Sequence, residues 1–481
     1  MSLLLAGGCA VGPDFRKPAA PPADAYAVSP VATASTAIAG GAAQRFVRGA
    51  DLSSDWWTLF HSAPLNALIE HSLASNPDLQ AAQAALAAAH EGVLAQRGVY
   101  YPAVSGSFSA SRQRQAGTLA PTPASNAVLY NLFTPEVSVS YVPDIFGLNR
   151  RTVESLQAQA QAVRFQMIAT YNTLTANVAV TAIQQGSIQL QIQATHELID
   201  LNTKSLEILR YQFARGYASG LEVAAQESQL AQVAATLPPL MKQAAQLHDL
   251  MATLAGEFPG EATAGTFELA SLQLPEDLPV SVPADLVTQR PDVRQAEADL
   301  HVASARIGIA VANRLPNVTL TAATGSTALA VNQLLTSGTG FWSVGADLTA
   351  PVFQGGALLH QERAAKAAYQ QAAAQYRSTV LAACQNVADT LAALAEDAAG
   401  LQAAAAAADA AKTTLDLAQR QWQDGYAPYL TLLSAEQTYQ EARINLVQAQ
   451  ASRYADTAAL FQALGGGWWH RQAPGMGAHG E

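Results

Sequence analysis

Two periodicities of apolar positions alternate along the chain. From Pro64 to about Gln96, leucine, isoleucine and alanine recur at helical spacing, and Asn76-Pro77-Asp78 divides this stretch into two helices. The pattern then changes to period two, because apolar positions from Val104 onward alternate with serines. This alternation predicts two strands, at 102–112 and 134–145.

A proline-free stretch follows, and its apolar seam is typical of a very long helix at 147–213. At a rise of about 1.5 Å per residue, such a helix is about 100 Å long and needs partner helices along its length. A glycine-containing turn separates it from a second helix at 221–256. Pro238-Pro239 is expected to end or kink that second helix.

The second half of the chain repeats the first. Asn76-Pro77-Asp78 returns as Arg290-Pro291-Asp292, and Phe213-Ala214-Arg215-Gly216-Tyr217 returns as Trp422-Gln423-Asp424-Gly425-Tyr426. The two repeats span 64–260 and 284–467, and a linker at 261–283 joins them. In the second repeat the same order predicts two strands, a long helix and a shorter helix, at 316–325, 340–352, 354–423 and 428–464.

The predicted fold class follows from the lengths and open edges of the strands in these repeats. Each strand is near the length of about 9–11 residues that crosses a bilayer when tilted. Open sheet edges cannot exist in lipid, so the four strands of one chain must close with strands from other copies. We therefore predict a mostly α-helical chain with a transmembrane β-barrel, trimeric and about 12-stranded, continued by a helical coiled-coil tunnel. A soluble helical protein with two hairpins is the alternative.

Composition narrows the function classes. A net charge of -11 argues against binding to nucleic acid, whose phosphates require clustered Lys and Arg. The sequence has no run of 18 apolar residues, no phosphate loop ending in Gly-Lys-Ser/Thr and no His-Glu-x-x-His motif. Neither a metal site nor a cofactor is expected, and we predict that the chain is not an enzyme.

The N-terminal residues are typical of a lipoprotein. Cys9 follows a short apolar run that ends in small residues, which resembles a residual signal segment at 1–8 cleaved before a lipid-modified cysteine. Residues 9–63 are predicted to form a lipid-anchored extended tail, with Trp56-Trp57 docking onto the folded body. At the other end, residues 468–481 are predicted to form a flexible tail.

The chain resembles the outer-membrane efflux factor (TolC-like) family, especially its lipoprotein branch. The resemblance covers nearly the whole chain and is carried by five motifs: Gly8-Cys9-Ala10-Val11-Gly12-Pro13-Asp14-Phe15, Trp56-Trp57, Arg290-Pro291-Asp292, Gly425 with Tyr429-Leu430, and Leu464-Gly465-Gly466-Gly467-Trp468. It implies a homotrimer anchored in the outer membrane, with its helical tunnel in the periplasm. It also implies a periplasmic adaptor and an inner-membrane, proton-driven pump as partners.

The implied function is a passive exit duct for drugs or other small toxic compounds. Two rival functions stay open at this stage. The first is an exit duct for type I protein secretion, which would use the same tunnel. The second is a periplasmic adaptor or coiled-coil lipoprotein without a pore, since adaptors also have helical hairpins and lipidated cysteines.

By the same resemblance, the two turns between long helices form the periplasmic tip that contacts the adaptor. The positions that carry this role are Arg215, Gly216, Tyr217, Ser219, Gly220, Asp424, Gly425, Tyr426 and Ala427. Family members place a gate just beyond the second turn, with a leucine, an acidic residue one turn later and often an arginine. This chain keeps Leu430 but has Ser434 and Gln437 at the other two positions. Thr431 and, from the first repeat, Glu222 complete the predicted gate.

Overall fold

The computed structural model describes residues 10–20, 32–114, 129–261 and 267–470. The chain divides into two compact units, each assembled from three separate stretches of sequence. We name the first the strand unit; it comprises Met1–Pro18, Ala85–Val163 and Ala296–Tyr376. We name the second the tip unit; it comprises Ala19–Ala84, Arg164–Gln295 and Arg377–Glu481.

The helices repeat in length as well as in order. They are α1 Ala63–Ser75, α2 Pro77–Arg97, α3 Leu148–Ala214, α4 Gly220–Leu254, α5 Pro283–Gln289, α6 Pro291–Ala312, α7 Ala357–Gln423 and α8 Tyr429–Ala463. The long helices α3 and α7 both have 67 residues, and the shorter α4 and α8 both have 35. The duplication that the sequence predicts is therefore visible element by element. No helix in the described part of the chain is both long and apolar enough to cross a membrane.

The strands form two separate sheets. They are β1 Arg45–Arg48, β2 Ala103–Arg114, β3 Leu129–Tyr141, β4 Asp277–Val280, β5 Asn317–Ser326 and β6 Gly340–Thr349. In the strand unit, the four predicted strands make an antiparallel sheet in the order β2-β3-β5-β6. Strand β3 lies earlier than the predicted 134–145. It ends before Pro143, which has no N–H to donate, and Asp144 accepts from the amides of Asn149 and Arg150 in the first turn of α3.

The four-stranded sheet exposes large apolar side chains. Val104, Phe108, Trp342 and Val344 are each more than half exposed in the single chain. Among the described residues, the outer edges of β2 and β6 have no strand partner. Apolar area and open edges of this kind require a covering of lipid and of further strands. The sheet is therefore incomplete as one subunit.

Two short strands of the tip unit were not predicted. Strand β1 lies within the predicted tail and pairs in parallel with β4, which lies within the predicted linker; Phe46 is the partner of Leu278. Beyond β1, the predicted docking of the tryptophan pair is visible, since Trp56 and Trp57 are 1% and 3% exposed. The Trp56 ring lies 5.5 Å from that of Phe461 on α8. Part of the predicted tail is thus integrated into the tip unit, because its aromatic side chains are buried there.

The structure differs from the sequence prediction at Pro238-Pro239 and at the start of the predicted C-terminal tail. Helix α4 does not end at Pro238 and Pro239 but continues through both. Leu237 and Leu240, which flank the pair, pack with Ile188, Ile192 and Leu247, and this burial holds the helix across the missing donors. Trp468 of the predicted C-terminal tail donates its ring N–H to the Gln289 carbonyl over 2.6 Å. Residues 471–481 of that tail lie outside the described residues, as does Cys9.

Candidate functional site

The two turns at the ends of the long helices have the same backbone structure. After α3, the amides of Gly216 and Tyr217 donate to the carbonyls of Phe213 and Gln212, over 2.9 Å each. After α7, Gly425 and Tyr426 repeat these bonds at 3.1 and 2.8 Å. The φ angles of Gly216 and Gly425 are +77° and +76°, the left-handed conformation in which a side chain is disfavoured. The glycines therefore end both helices in the same way.

The predicted adaptor-contact residues lie at the surface of these turns. Tyr217 and Tyr426 are 84% and 85% exposed. Arg215 stacks over the Tyr211 ring, with its guanidinium 4.9 Å from the ring centroid. The remaining positions, Gly216, Ser219, Gly220, Asp424 and Gly425, are exposed, and Ala427 is half-buried. Each turn thus presents one tyrosine to the solvent beside a charged side chain, in equivalent places.

Below the turns, an apolar cluster joins helices of both repeats. Leu209 of α3, Leu415 of α7 and Tyr429 and Leu432 of α8 are buried together. Trp422 packs edge-on against Tyr429, with ring centroids 5.6 Å apart. Burial of these side chains fixes the first turn of α8 against α3 and α7.

Three of the predicted gate residues lie along one exposed stripe of α8. Leu430, Ser434 and Gln437 are spaced by four and three residues, which places them above one another on a helix, and all three are exposed. Leu430 is 59% exposed although its neighbour Tyr429 is buried. Thr431 is exposed beside them. The amide of Gln437 also donates to the Gln229 side chain of α4 over 2.7 Å.

Glu222, the predicted acidic member of the gate, has a local structural partner. Its carboxylate accepts from the Ser219 amide over 2.6 Å and from the Ser219 hydroxyl over 2.9 Å. The Ser219 hydroxyl in turn accepts from the Glu222 amide, which completes a capping box at the start of α4. The second repeat has Pro428 at the matching cap and no side-chain bond there. Glu222 and Ser219 therefore stabilise the start of α4 with a capping box, and the start of α8 has no such side-chain cap.

A buried polar chain connects α8 to α4 and α3. The Tyr429 hydroxyl donates to Oε1 of Gln226. Gln226, which is fully buried, donates its amide to the carbonyl and to the side-chain oxygen of Asn202, over 2.9 and 3.0 Å. Burial, and then the neighbouring carboxyls of Glu436 and Glu222, raise the pKa of Tyr429, so its hydroxyl stays protonated and remains a donor. These hydrogen bonds connect α8, the helix that carries Leu430, to α3 and α4 of the first repeat.

Glu436 is a buried acid two turns beyond Tyr429 on α8. It is 3% exposed, and its Oε2 has no hydrogen-bond partner within the described part of the chain. Burial raises its pKa to about 7. The matching acid of the first repeat, Glu227, is half-exposed and pairs with Arg210 over 2.7 Å. The position that matches Arg210 in the second repeat is Gln419, which has no positive charge to offer.

The sequence prediction did not include Asn202, Gln226 or Glu436. These residues come together only because α3, α4 and α8 pack against one another, and no local sequence pattern predicts that packing. The Ser219-x-x-Glu222 pair is different, since a serine followed three residues later by glutamate is a recognisable capping signal in the sequence itself. Among the described residues, no group of three or more His, Cys, Asp or Glu side chains could hold a metal ion.

Comparisons with known proteins place this architecture in a family. The model of the family described as "Outer membrane efflux protein" matches residues 68–257 and 282–466, which correspond closely to the two repeats. The antibiotic efflux pump outer membrane protein ArpC of Pseudomonas putida is 29% identical over 475 residues, which cover 98% of this chain and 95% of that protein. The toluene efflux pump outer membrane protein TtgC of Pseudomonas putida is 29% identical over the same share of both chains.

A solved structure agrees with the sequence comparisons. The outer-membrane channel OprN superposes with a TM-score of 0.85 at 27% identity, and the match covers 96% of this chain and 100% of OprN. The predicted fold class and the predicted function and location, an efflux channel of the outer membrane, are confirmed. The chain belongs to the outer membrane efflux protein family, whose repeated helix-strand-helix frame it carries in both halves.

Proposed function

We propose that this chain is the passive exit duct of a tripartite pump for small toxic compounds, and that its flow is controlled at the tip of its helices. The observation that carries the proposal is the contrast between Tyr429 and Leu430 at the start of α8. Tyr429 is buried and bonded to Gln226, whereas Leu430 is presented at the surface. An apolar residue held outward on a fixed helix end is suited to form a constriction when three copies face a common axis.

The cargo follows from two relatives and from the chemistry of the tip. ArpC and TtgC are named for antibiotic and toluene efflux, and antibiotics and toluene are small molecules rather than proteins. The duct itself catalyses nothing in this proposal, and the inner-membrane pump supplies the energy. If the cargo were instead a secreted protein, a deletion strain would keep its resistance to dyes and antibiotics while losing that export.

The partners are an adaptor and a lipid anchor. The exposed Tyr217 and Tyr426, each next to a charged side chain, provide two equivalent contacts per subunit for a periplasmic adaptor. Leu430, Thr431 and Ser434 form the constriction. Gln437 continues the same stripe of α8 and is bonded to Gln229 of α4. Glu222 contributes through the capping box rather than as a free charge. Lipid attached to Cys9 anchors the chain to the outer membrane.

Removing the proposed constriction should widen the pore. We expect single-channel conductance of Leu430→Ala in planar bilayers to exceed that of the wild type, because the exposed side chain is shortened by three carbons while the buried Tyr429 holds the helix in place. Leu221→Ala is the matched control, since Leu221 occupies the same position in the first repeat and is 75% exposed. Unchanged conductance of Leu430→Ala would exclude Leu430 from the gate, and an increase in Leu221→Ala alone would move the gate to the first repeat.

A further inference from the structure

The N-terminal segment Ala10–Lys17 lies on the strand unit in a set of contacts that the efflux function does not use. The amide of Val11 donates to the Phe146 carbonyl over 3.2 Å, just before α3 begins. From there the segment runs along α3 of the first repeat and α6 of the second. A segment of eight residues has no core of its own, so contacts with these helices must determine where it lies.

Arg151 of α3 provides most of the recognition. Its side chain is 5% exposed, and three of its bonds go to the segment. Nε donates to the Val11 carbonyl over 3.1 Å, and Nη2 donates to the Gly12 carbonyl over 3.3 Å and to the Asp14 carboxylate over 2.8 Å. A guanidinium holds its donors in a rigid planar fork, so these acceptors are recognised as one geometric set. Glu154 accepts a hydrogen bond from Nη1 over 2.7 Å, which helps to hold the Arg151 guanidinium in this orientation.

Helix α6 completes the site from the second repeat. The ring of Phe15 stacks on His301, with centroids 4.2 Å apart and planes inclined by 12°. His301 is itself bonded to the other oxygen of Glu154 over 2.9 Å, so Glu154 supports both sides of the site. One turn earlier on α6, Glu297 pairs with Lys17 over 3.4 Å. Asp14 and Lys17 of the segment therefore each meet an opposite charge, on α3 and α6 respectively.

The backbones also approach too closely for side chains to lie between them. A Cβ atom at Gly12 would lie 2.4 Å from the Cα of Gly308 on α6, and one at Gly147 would lie 2.7 Å from Ala10. Gly308 is constrained in turn, because its Cβ would meet the Arg151 side chain at 2.8 Å. Glycine is needed on both partners of the contact, which is a match of shape in addition to the match of charge.

We propose that α3 and α6 form a binding site for the chain's own N-terminal segment, in which Arg151 of α3 recognises the peptide and His301 of α6 stacks on Phe15. The occupied site holds Ala10 against Gly147, at the junction between β3 and α3. Consecutive Cα atoms are about 3.8 Å apart, so a lipid on Cys9 would be attached one residue before the Ala10 that this contact holds. Only this last consequence rests on the proposed lipidation of Cys9; the site itself does not.

Hydrogen exchange followed by mass spectrometry on the full-length protein in detergent tests the site. We expect the Val11 amide, which donates to the Phe146 carbonyl, to exchange at least about tenfold faster in Arg151→Ala than in the wild type, because the Arg151 bonds that hold the segment beside that carbonyl are lost. The double variant Asp14→Ala/Phe15→Ala should give the same increase, and since both changes lie in the segment, they leave α3 and α6 unaltered. Arg150→Ala, which removes the exposed neighbouring arginine of α3, is the matched control.

The outcomes separate this proposal from the proposed channel function. Unchanged exchange of the segment in Arg151→Ala and in the double variant would overturn the binding site. The same measurement on Cys9→Ser should show wild-type protection, and a loss of protection there would mean that an anchor, not Arg151, holds the segment. Conductance of all these variants should equal that of the wild type, because the tip is untouched. A defect in conductance alone would bear on the channel and not on the site.

Discussion

Tyr429→Phe is expected to open the channel more often and to weaken the tip. The variant keeps the ring in the apolar cluster beside Trp422 but removes the hydroxyl that donates to Gln226. The buried Gln226 oxygen then has no donor, which costs about 1–3 kcal/mol. Since Tyr429 precedes Leu430, loss of this tie releases the helix end that holds the proposed constriction. Mean conductance in planar bilayers should rise, and the denaturant midpoint of unfolding should fall.

Tyr426→Phe is the control for this experiment. It deletes a tyrosine hydroxyl three residues earlier, from a side chain that is 85% exposed. We expect its conductance and stability to match those of the wild type. If both variants behave alike, the hydrogen bond to Gln226 does not restrain the gate, and the buried polar chain serves folding only.

The repeated frame could be predicted from the sequence because it is encoded locally. Alternation of apolar residues with serines marks the strands, and the proline breaks before α2 and α6 recur with the tip turns in the same order. The four-stranded sheet and the two pairs of helices follow from these signals. Strand boundaries were less accurate for β3, where the end depends on Pro143 and on the bonds of Asp144 to α3.

Non-local contacts account for what the sequence did not predict. Strands β1 and β4 have four residues each, too few for a period-two signal. They pair only because the tip unit packs residues that are far apart in sequence. The N-terminal segment is a second case, because Gly12 contacts Arg151 and Gly308, which lie far from it in sequence. For the candidate gate, the sequence located Leu430 but not its buried neighbours, since the burial of Gln226 and Glu436 depends on how α4 and α8 meet.

The contrast between the two repeats at Glu227 and Glu436 has a consequence for stability. Both repeats have an acid at this position, but among the residues that the structure describes only Glu227 has an arginine partner. Glu436 is buried with one oxygen unpartnered, so its neutral form is favoured in the folded protein. A buried acid with an unpartnered oxygen makes the stability of the tip depend on pH.

Glu436→Gln is expected to stabilise the protein at alkaline pH and to have little effect in acid. The pKa of Glu436 rises from 4.5 in the unfolded chain to about 7 in the fold. The folded state therefore binds the proton more tightly, and the contribution of Glu436 to stability is greatest below pH 4.5 and is lost as pH rises to about 7. At 1.4 kcal/mol per pKa unit, the loss above that pH is about 3 kcal/mol per subunit. A neutral glutamine does not incur this loss.

Unfolding in detergent at pH 4 and pH 8 measures the effect. The free energy of unfolding of Glu436→Gln should exceed that of the wild type at pH 8, and the difference should shrink toward zero at pH 4. Glu441→Gln, at an exposed position of the same helix, makes the same chemical change and should leave both values unchanged. If Glu436→Gln gave the same difference at both values of pH, ionisation of Glu436 would not be the cause of the stability difference, and the pH-dependent cost of the buried acid would be excluded.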